Sequence, residues 1–209
     1  MRAGVIIAGG YSKRFGEADK ALADLSGVPM IRRVADCMEP SVDSLVVNCR
    51  SEQLNDIKKA FEGYPLNVTF AEDREEDLGP VGGICTGLEV VETEYAAVVA
   101  CDMPLVDPSL LDHLFERSKE HDAAVPRFEG LYQTTQAVYH ADQTVKACER
   151  ALSEGPTNTL ELLSHLDYVV VGEEEILEHT TRRTFLNVNT QEDLEEALEN
   201  ILRGEESQT

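Results

Sequence analysis

Tyr95-Ala96-Ala97-Val98-Val99-Ala100-Cys101 is the most apolar stretch of the chain, and it stops at Asp102-Met103-Pro104. A short apolar run without alternation is what a strand looks like when both of its faces are covered. Residues 95–101 are therefore expected to form a central strand. Working outward, β-branched runs at 2–8, 44–49 and 67–71 mark further strands, while the segment from the first of these to about Gly27 is polar and punctuated by glycine. Pro29 suits the first position of a helix with Ile31, Val34, Ala35 and Met38 on one face. Residues 51–62 place Leu54, Ile57 and Phe61 inward before Gly63 stops that helix. Pro80 opens another, bearing Ile84, Leu88 and Val91, and Asp107-Pro108 reads as the cap and first residue of a helix to about His121. Shorter strands are expected at 123–126, 135–139 and 167–171, with helices at 144–153 and 159–165. Thr190-x-x-Asp193 caps a last helix over 191–203, and residues 204–209 are expected to fray. Alternating strand and helix predicts an α/β fold: a single domain, 1–203, with a mostly parallel sheet between two helical layers. In such sheets ligands lie beyond the carboxyl ends of the strands. The residues that follow Ile7, Val47 and Ala100 are the places to look.

Composition removes several classes of function. Forty acidic side chains against 18 basic ones leave the 209-residue chain at −22, a field that repels a phosphate backbone, so no nucleic-acid partner is expected. No apolar run approaches the roughly 20 residues of a membrane span. The start, Met1-Arg2-Ala3-Gly4-Val5-Ile6-Ile7, shows no leader signature, and a cytoplasmic protein is expected. The five cysteines (Cys37, Cys49, Cys85, Cys101, Cys148) form no CxxC pair and fit reduced, buried thiols better than disulfides or a zinc site. So large an acidic excess fits a cytosol of high ionic strength, where screening relieves self-repulsion, although an ordinary acidic protein also fits.

The charge is unevenly spread. Residues 1–36 hold six bases and four acids, and the rest of the chain holds 12 bases and 36 acids. Lys13, Arg14 and Lys20 thus cluster in the one region that is not acidic, and a phosphate group is their natural ligand. Around them the first strand ends in Ile7-Ala8-Gly9-Gly10-Tyr11-Ser12-Lys13-Arg14-Phe15-Gly16-Glu17-Ala18-Asp19-Lys20. Paired glycines let backbone N–H groups approach an anion; Ser12 adds a hydroxyl, Arg14 a planar fork and Lys20 a mobile charge. Glu17 after Gly16 excludes a Walker A loop, and adjacent Gly9 and Gly10 exclude the dinucleotide GxGxxG pattern. A glycine turn followed by a solvated cationic loop is the plainer alternative.

Three other segments carry candidates. Asp102 leaves a buried strand at the ligand edge, where a rigidly held carboxylate suits Mg²⁺; a loop Asp capping the next turn is equally compatible. Asp73, in Glu72-Asp73 ahead of Leu78-Gly79-Pro80-Val81-Gly82-Gly83, could accept the paired N–H donors of guanine, and the glycines, Gly83 among them, would let a base or ribose lie on main chain. On composition alone this is simply an acidic loop. Asn48, at the end of the second strand, is either a ligand contact or a turn residue. In Phe185-Leu186-Asn187-Val188-Asn189-Thr190 an extended chain would put Asn187 and Asn189 on one side, toward a second substrate or a metal-bound water, whereas Asn189-Thr190 could equally do no more than cap the helix.

Together these segments resemble the molybdenum cofactor guanylyltransferase family of nucleotidyltransferases, which have a Rossmann-like fold of the nucleotide-diphospho-sugar transferase type. Its AGGxSxRFGxxKA loop is similar to Ala8-Gly9-Gly10, Ser12, Arg14-Phe15-Gly16 and Lys20-Ala21; its GPLxGI to Gly79–Ile84; its CDxP to Cys101–Pro104; and its FxNVNTPEDL to Phe185–Leu194. The resemblance implies main-chain contacts to GTP from Ile7, Ala8 and Gly9, with Gly10 and Ser12 in the same loop. It implies Lys20 on the phosphates, Asn48 and Asp73 on the nucleoside, Asp102 on Mg²⁺ and nucleotide, and Asn187 and Asn189 on the pterin side. Lys20, Arg14 and Asp102 are then the expected catalytic groups, GTP and molybdopterin or Mo-molybdopterin the substrates, and a molybdoenzyme or its chaperone the recipient of the product. Gln191 stands where Pro is usual, Val81 replaces Leu, Leu131-Tyr132-Gln133 stands where a Pro-Leu-like pair is frequent, and no arginine follows Gly155. All but Val81 fall on the second-substrate side. Guanylyl or cytidylyl transfer to another phosphorylated acceptor, such as adenosylcobinamide phosphate, and non-catalytic GTP binding remain the alternatives.

Overall fold

The computed structural model describes residues 1–9, 19–73, 78–155 and 157–206, the last five as backbone. Strand β1 (Ala3–Ile7) is followed by a small hairpin, β2 (Asp24–Leu25) and β3 (Val28–Pro29), and by helix α1 (Met30–Met38). Then come β4 (Ser44–Cys49), α2 (Leu54–Ala60), β5 (Asn67–Glu72), α3 (Gly79–Leu88), β6 (Tyr95–Ala100) and α4 (Pro108–Arg117). The carboxyl-terminal part holds β7 (Ala123–Phe128), β8 (Leu131–Tyr132), β9 (Gln136–His140), α5 (Ala141–Ser153), α6 (Thr159–Leu163), β10 (Tyr168–Val171), α7 (Glu173–Leu177) and α8 (Gln191–Glu206).

Eight of the strands form one sheet in the order β10-β7-β9-β6-β1-β4-β5, with β8 paired to β7, and β2 and β3 pair apart from it. As expected from its apolar sequence, β6 is the middle strand. Its residues lie in register with those of β1 and β4: Val98, Val5 and Val46 form one row across the sheet, and Val99, Ile6 and Val47 the next. Strand alternation sends these rows to opposite faces. The first row packs with Val81, Ile84, Leu88, Ala147, Cys148, Leu162 and Leu163, from α3, α5 and α6. The second packs with Ile31, Val34, Met38, Ile57, Leu110, Leu114 and Phe115, from α1, α2 and α4. Two dry interfaces result, and this double burial is why β1, β4 and β6 show no polar alternation.

β1 pairs in parallel with β4 and β6, and β4 with β5, but β9 is antiparallel to both β6 and β7. The reversal follows from a short connection. Glu129 (φ 49°) and Gly130 (φ 80°) form a two-residue turn between β7 and β8, with both central residues at positive φ, and the returning chain runs on into β9. Three further details depart from sequence expectation. Pro29 ends β3 and precedes α1 instead of opening it; α7 lies in a stretch without an assigned element; and α8 continues past Gly204 to Glu206.

Candidate active site at the carboxyl edge of the sheet

Backbone hydrogen bonds tie the strand ends together. Ala8 N–H donates to Asn48 O at 2.9 Å, Cys101 N–H to Ile7 O at 3.1 Å, and Asp73 N–H to Cys49 O at 2.9 Å. Residues that follow β1, β4, β5 and β6 are thereby held on one rigid edge, as the parallel-sheet rule anticipates. Gly10, Ser12 and Arg14 lie outside the described residues.

Lys20 starts a 3₁₀ turn, Lys20–Leu22, capped by Asp19, whose carboxylate accepts the Ala21 N–H at 3.0 Å. The side chain turns inward: the residue is 8% exposed, and Nζ donates to Asp102 Oδ2 at 2.6 Å and to Asn189 Oδ1 at 2.8 Å. Positions 20, 102 and 189, distant in sequence, thus meet at one ammonium. Burying that charge requires paired acceptors, which Asp102 and Asn189 supply. The other carboxylate oxygen, Asp102 Oδ1, is buried with no hydrogen-bond partner among the described residues. An anionic oxygen in that position is set for a ligand that brings positive charge.

A second cluster lies at the ends of β4 and β5. Asn48 is fully buried; its Nδ2 donates to Asp73 Oδ1 at 2.7 Å and to Ala71 O at 3.3 Å, while its Oδ1 is buried without a partner among the described residues. Asp73 leans over Gly9, where an added Cβ would lie 2.1 Å from Asp73 Oδ2. Only glycine permits this approach of carboxylate to the first loop. Gly83 plays a related part: an added Cβ would meet Asn48 Oδ1 at 2.7 Å, so the glycine run lets α3 sit close against β4.

Sequence reasoning missed the residues that brace this edge. Gln53, buried, donates through Nε2 to Ala8 O at 3.2 Å and Asp19 Oδ2 at 2.7 Å, and Arg50 Nη1 donates to Gly9 O at 3.0 Å. These contacts link the exit of β1 to the cap of the Lys20 turn. Asp19 carried a local signal, a capping side chain before a short turn; Gln53 accepts the nearby Arg50 N–H through Oε1 at 3.0 Å, but its bonds to Ala8 and Asp19 are remote in sequence and carried no signal.

Asn187 and Asn189 make different contacts. Val188 is buried and donates its N–H to Asp102 O at 2.8 Å, fixing the segment against the end of β6. Asn189 reaches Lys20, whereas Asn187 bonds Phe185 O at 3.1 Å and lines a neighbouring open cleft of about 1160 Å³. Tyr132, Gln133, Thr159, Arg183 and Phe185 also line this cleft, between the β7–β8 turn, α6 and α8. The two asparagines separate because residues 189–190 are already turning into a helix cap. Asp193 Oδ2 accepts the N–H groups of Asn189 (2.8 Å) and Thr190 (2.7 Å), and Asp193 N–H donates to Thr190 Oγ1 at 3.1 Å. The Asn189 N–H, followed by the Thr190 hydroxyl and N–H, holds the Asp193 carboxyl below the usual range for an aspartate.

Among the described residues no group of three or more His, Cys, Asp or Glu side chains forms a metal cage, and no helix is long and apolar enough to cross a membrane. The pattern of the MobA-like NTP transferase domain matches residues 4–168. A Natronomonas pharaonis protein named "Probable molybdenum cofactor guanylyltransferase" is 49% identical over 200 residues, covering 96% of this chain and 98% of the relative. A Methanosarcina mazei protein of the same name is 34% identical, covering 93% and 89%. The crystal structure of molybdopterin-guanine dinucleotide biosynthesis protein A from Archaeoglobus fulgidus superposes with a TM-score of 0.79 at 26% identity, over 97% of this chain and all of that one. The ordered strand-end motifs, the sheet that carries them and these likenesses agree: the chain belongs to the MobA-like NTP transferase family.

Proposed function

We propose that residues 1–203 form one catalytic domain that transfers GMP from GTP to the terminal phosphate of molybdopterin, releasing pyrophosphate and forming the guanine dinucleotide cofactor. The observation that carries this reading is the junction of Lys20, Asp102 and Asn189 at the carboxyl edge of the sheet, in a chain whose relatives bear the name of that activity. An acceptor phosphate oxygen attacks the α-phosphorus in line; the α–β phosphoanhydride bond breaks, and its electrons leave on pyrophosphate. The nucleophile is already anionic at neutral pH, so positioning and charge neutralisation are the protein's main tasks.

Main chain at Ile7, Ala8 and Gly9 faces the nucleotide, continued by Gly10 and Ser12. Lys20 and Arg14 offset charge on the departing phosphates. An ammonium has three N–H donors, and Lys20 spends two of them on Asp102 and Asn189, leaving one for a phosphate oxygen. Asp73, steadied by Asn48, accepts the guanine N–H pair, and Gly83 keeps α3 close behind them. A base without those donors leaves the carboxylate unpaired, a penalty of about 1–3 kcal/mol. Asp102 would hold Mg²⁺ through Oδ1, a hard anionic oxygen of the kind this ion prefers. When bound it supplies charge neutralisation at the phosphates. The cleft beside Asn187 has room for the pterin, and Arg183 offers an anion contact there.

The test is mass spectrometry of the product after mixing protein, GTP, Mg²⁺ and molybdopterin in concentrated KCl, a medium that suits a chain of −22. The guanine dinucleotide plus pyrophosphate is the expected result. Product only with CTP, or only with adenosylcobinamide phosphate, would replace this reading, and tight GTP binding without any product would make the protein a non-catalytic relative.

A further inference from the structure

We infer that Asp193 is a positioning residue for Lys20, acting through Asn189, so that the cap of the last helix is a working part of the phosphate site. The inference rests on the functional reading above and deepens it at a residue that the sequence assigned only to helix capping. Lys20 has one fixed neighbour, Asp102, and one neighbour on a connecting segment, Asn189. An ammonium bonded to a carboxylate alone can swing about that contact; a second acceptor defines where its third N–H points. Asn189 serves as that acceptor only if its backbone is held, and both the Asn189 and Thr190 N–H groups end on Asp193 Oδ2. The depressed titration of Asp193 agrees with a carboxylate stabilised by these donors.

Packing supplies the other half of the device. Leu194 and Ala197 of α8 are buried with Leu25, Met30 and Val188 in a small core of their own. Leu25 and Met30 lie shortly after the Lys20 turn, and Val188 directly precedes Asn189. The same core therefore fixes both the chain that brings the lysine and the chain that brings its acceptor. Asn189 thus bonds Lys20 through its side chain while its backbone joins the cap of α8.

The test uses the full-length chain carrying Asn189→Ala, Asp193→Ala, both together, or Asp193→Asn. The readouts are kcat, the KM of each substrate, and GTP affinity measured without acceptor. Misplacing a catalytic group by about 1 Å costs up to roughly 100-fold, and partial loosening of Lys20 should cost about tenfold in kcat or GTP affinity, with the acceptor KM unchanged. The double variant should be no worse than either single one, because both break one chain of contacts. Asp193→Asn, which keeps an accepting oxygen, should recover part of the loss, and it carries the comparison if Asp193→Ala fails to fold. A lower Tm with unaltered kcat and GTP affinity, multiplying effects, or a rise confined to the acceptor KM would each overturn the inference. Wild-type protein that binds GTP and transfers nothing to molybdopterin would sink the functional reading, while GTP affinity would still decide the role of Asp193.

Discussion

The two flanks of the sheet deliver their chemistry in different ways. On the β1–β4–β5 flank every pairing is parallel, each strand ends at the same edge, and Gly9, Asn48 and Asp73 stand within contact of one another. On the β9–β7–β10 flank an antiparallel strand interrupts the order, and the cleft is walled by a β-turn, a short helix, a 3₁₀ turn and the last helix. The first flank is a rigid edge on which a strand's last residue is a site residue almost by construction. The second is an enclosure whose walls come from unrelated stretches of chain. Lys20, Asp102 and Asn189 lie on the seam between them. On the proposed function, specificity for the nucleotide belongs to the parallel half and acceptor recognition to the mixed half, and each prediction below tests that division.

Removing the shared cation should have the largest effect. Lys20→Ala is expected to cut turnover by about 100- to 1000-fold, as losing a preorganised charge at a developing anion typically does. Circular dichroism should show the fold intact. Pyrophosphate release at a rate near wild type would end the phosphate role of this residue. Next comes the parallel half. Asp73→Asn should lower the preference for GTP over ATP by about 5- to 150-fold, the equivalent of about 1–3 kcal/mol, with little change in acceptor KM. Competition between the two nucleotides in one assay measures this, and an acceptor effect instead would blur the division of labour.

The mixed half is tested by Arg183→Ala, which should raise acceptor KM about fivefold while leaving GTP affinity alone. The contact is solvent-facing, so a larger effect is not expected. Unchanged acceptor kinetics would move the acceptor out of this cleft. The smallest effect concerns the thiols, which neither half needs. Burial, with help from the Asp73 carboxylate, pushes Cys49 up to about 12, and desolvation pushes Cys37 up to about 11. Both stay protonated and unreactive at neutral pH. Iodoacetamide at pH 7.5 should therefore leave Cys37 and Cys49 unmodified, which mass spectrometry of their peptides measures. The same shifts cost no stability below the ordinary thiol value of 9.0; above it the unfolded chain releases protons that the fold retains, and stability falls. Urea midpoints measured between pH 7 and 10.5 should decline only at the upper end.

Much of the architecture could be read from residue order because double burial leaves a local mark. The unalternating runs at β1, β4 and β6 announced a covered parallel sheet, and the strand-end rule then pointed to Gly9, Asn48 and Asp102 before any coordinates. Lys20 was legible as a cation kept in an acidic chain. Gln53 was not, since its local bond from the Arg50 N–H marks an ordinary turn and its bonds to Ala8 and Asp19 leave no mark nearby. The antiparallel setting of β9 was hidden for a similar reason: it depends on the geometry of a two-residue turn, and the residues of β9 look alike in either direction.

What the amino-acid order determined by itself was the layering, the central strand and the kind of group at each strand end, because burial and alternation act on neighbouring residues. What only the folded chain decided was which of those groups meet. Asn187 and Asn189 are two residues apart, yet one lines the cleft and the other holds Lys20, because Asp193 turns the backbone between them into a helix cap. Contacts across 82 or 169 positions, such as those of Lys20 with Asp102 and Asn189, are set by packing of whole elements and have no counterpart in local sequence.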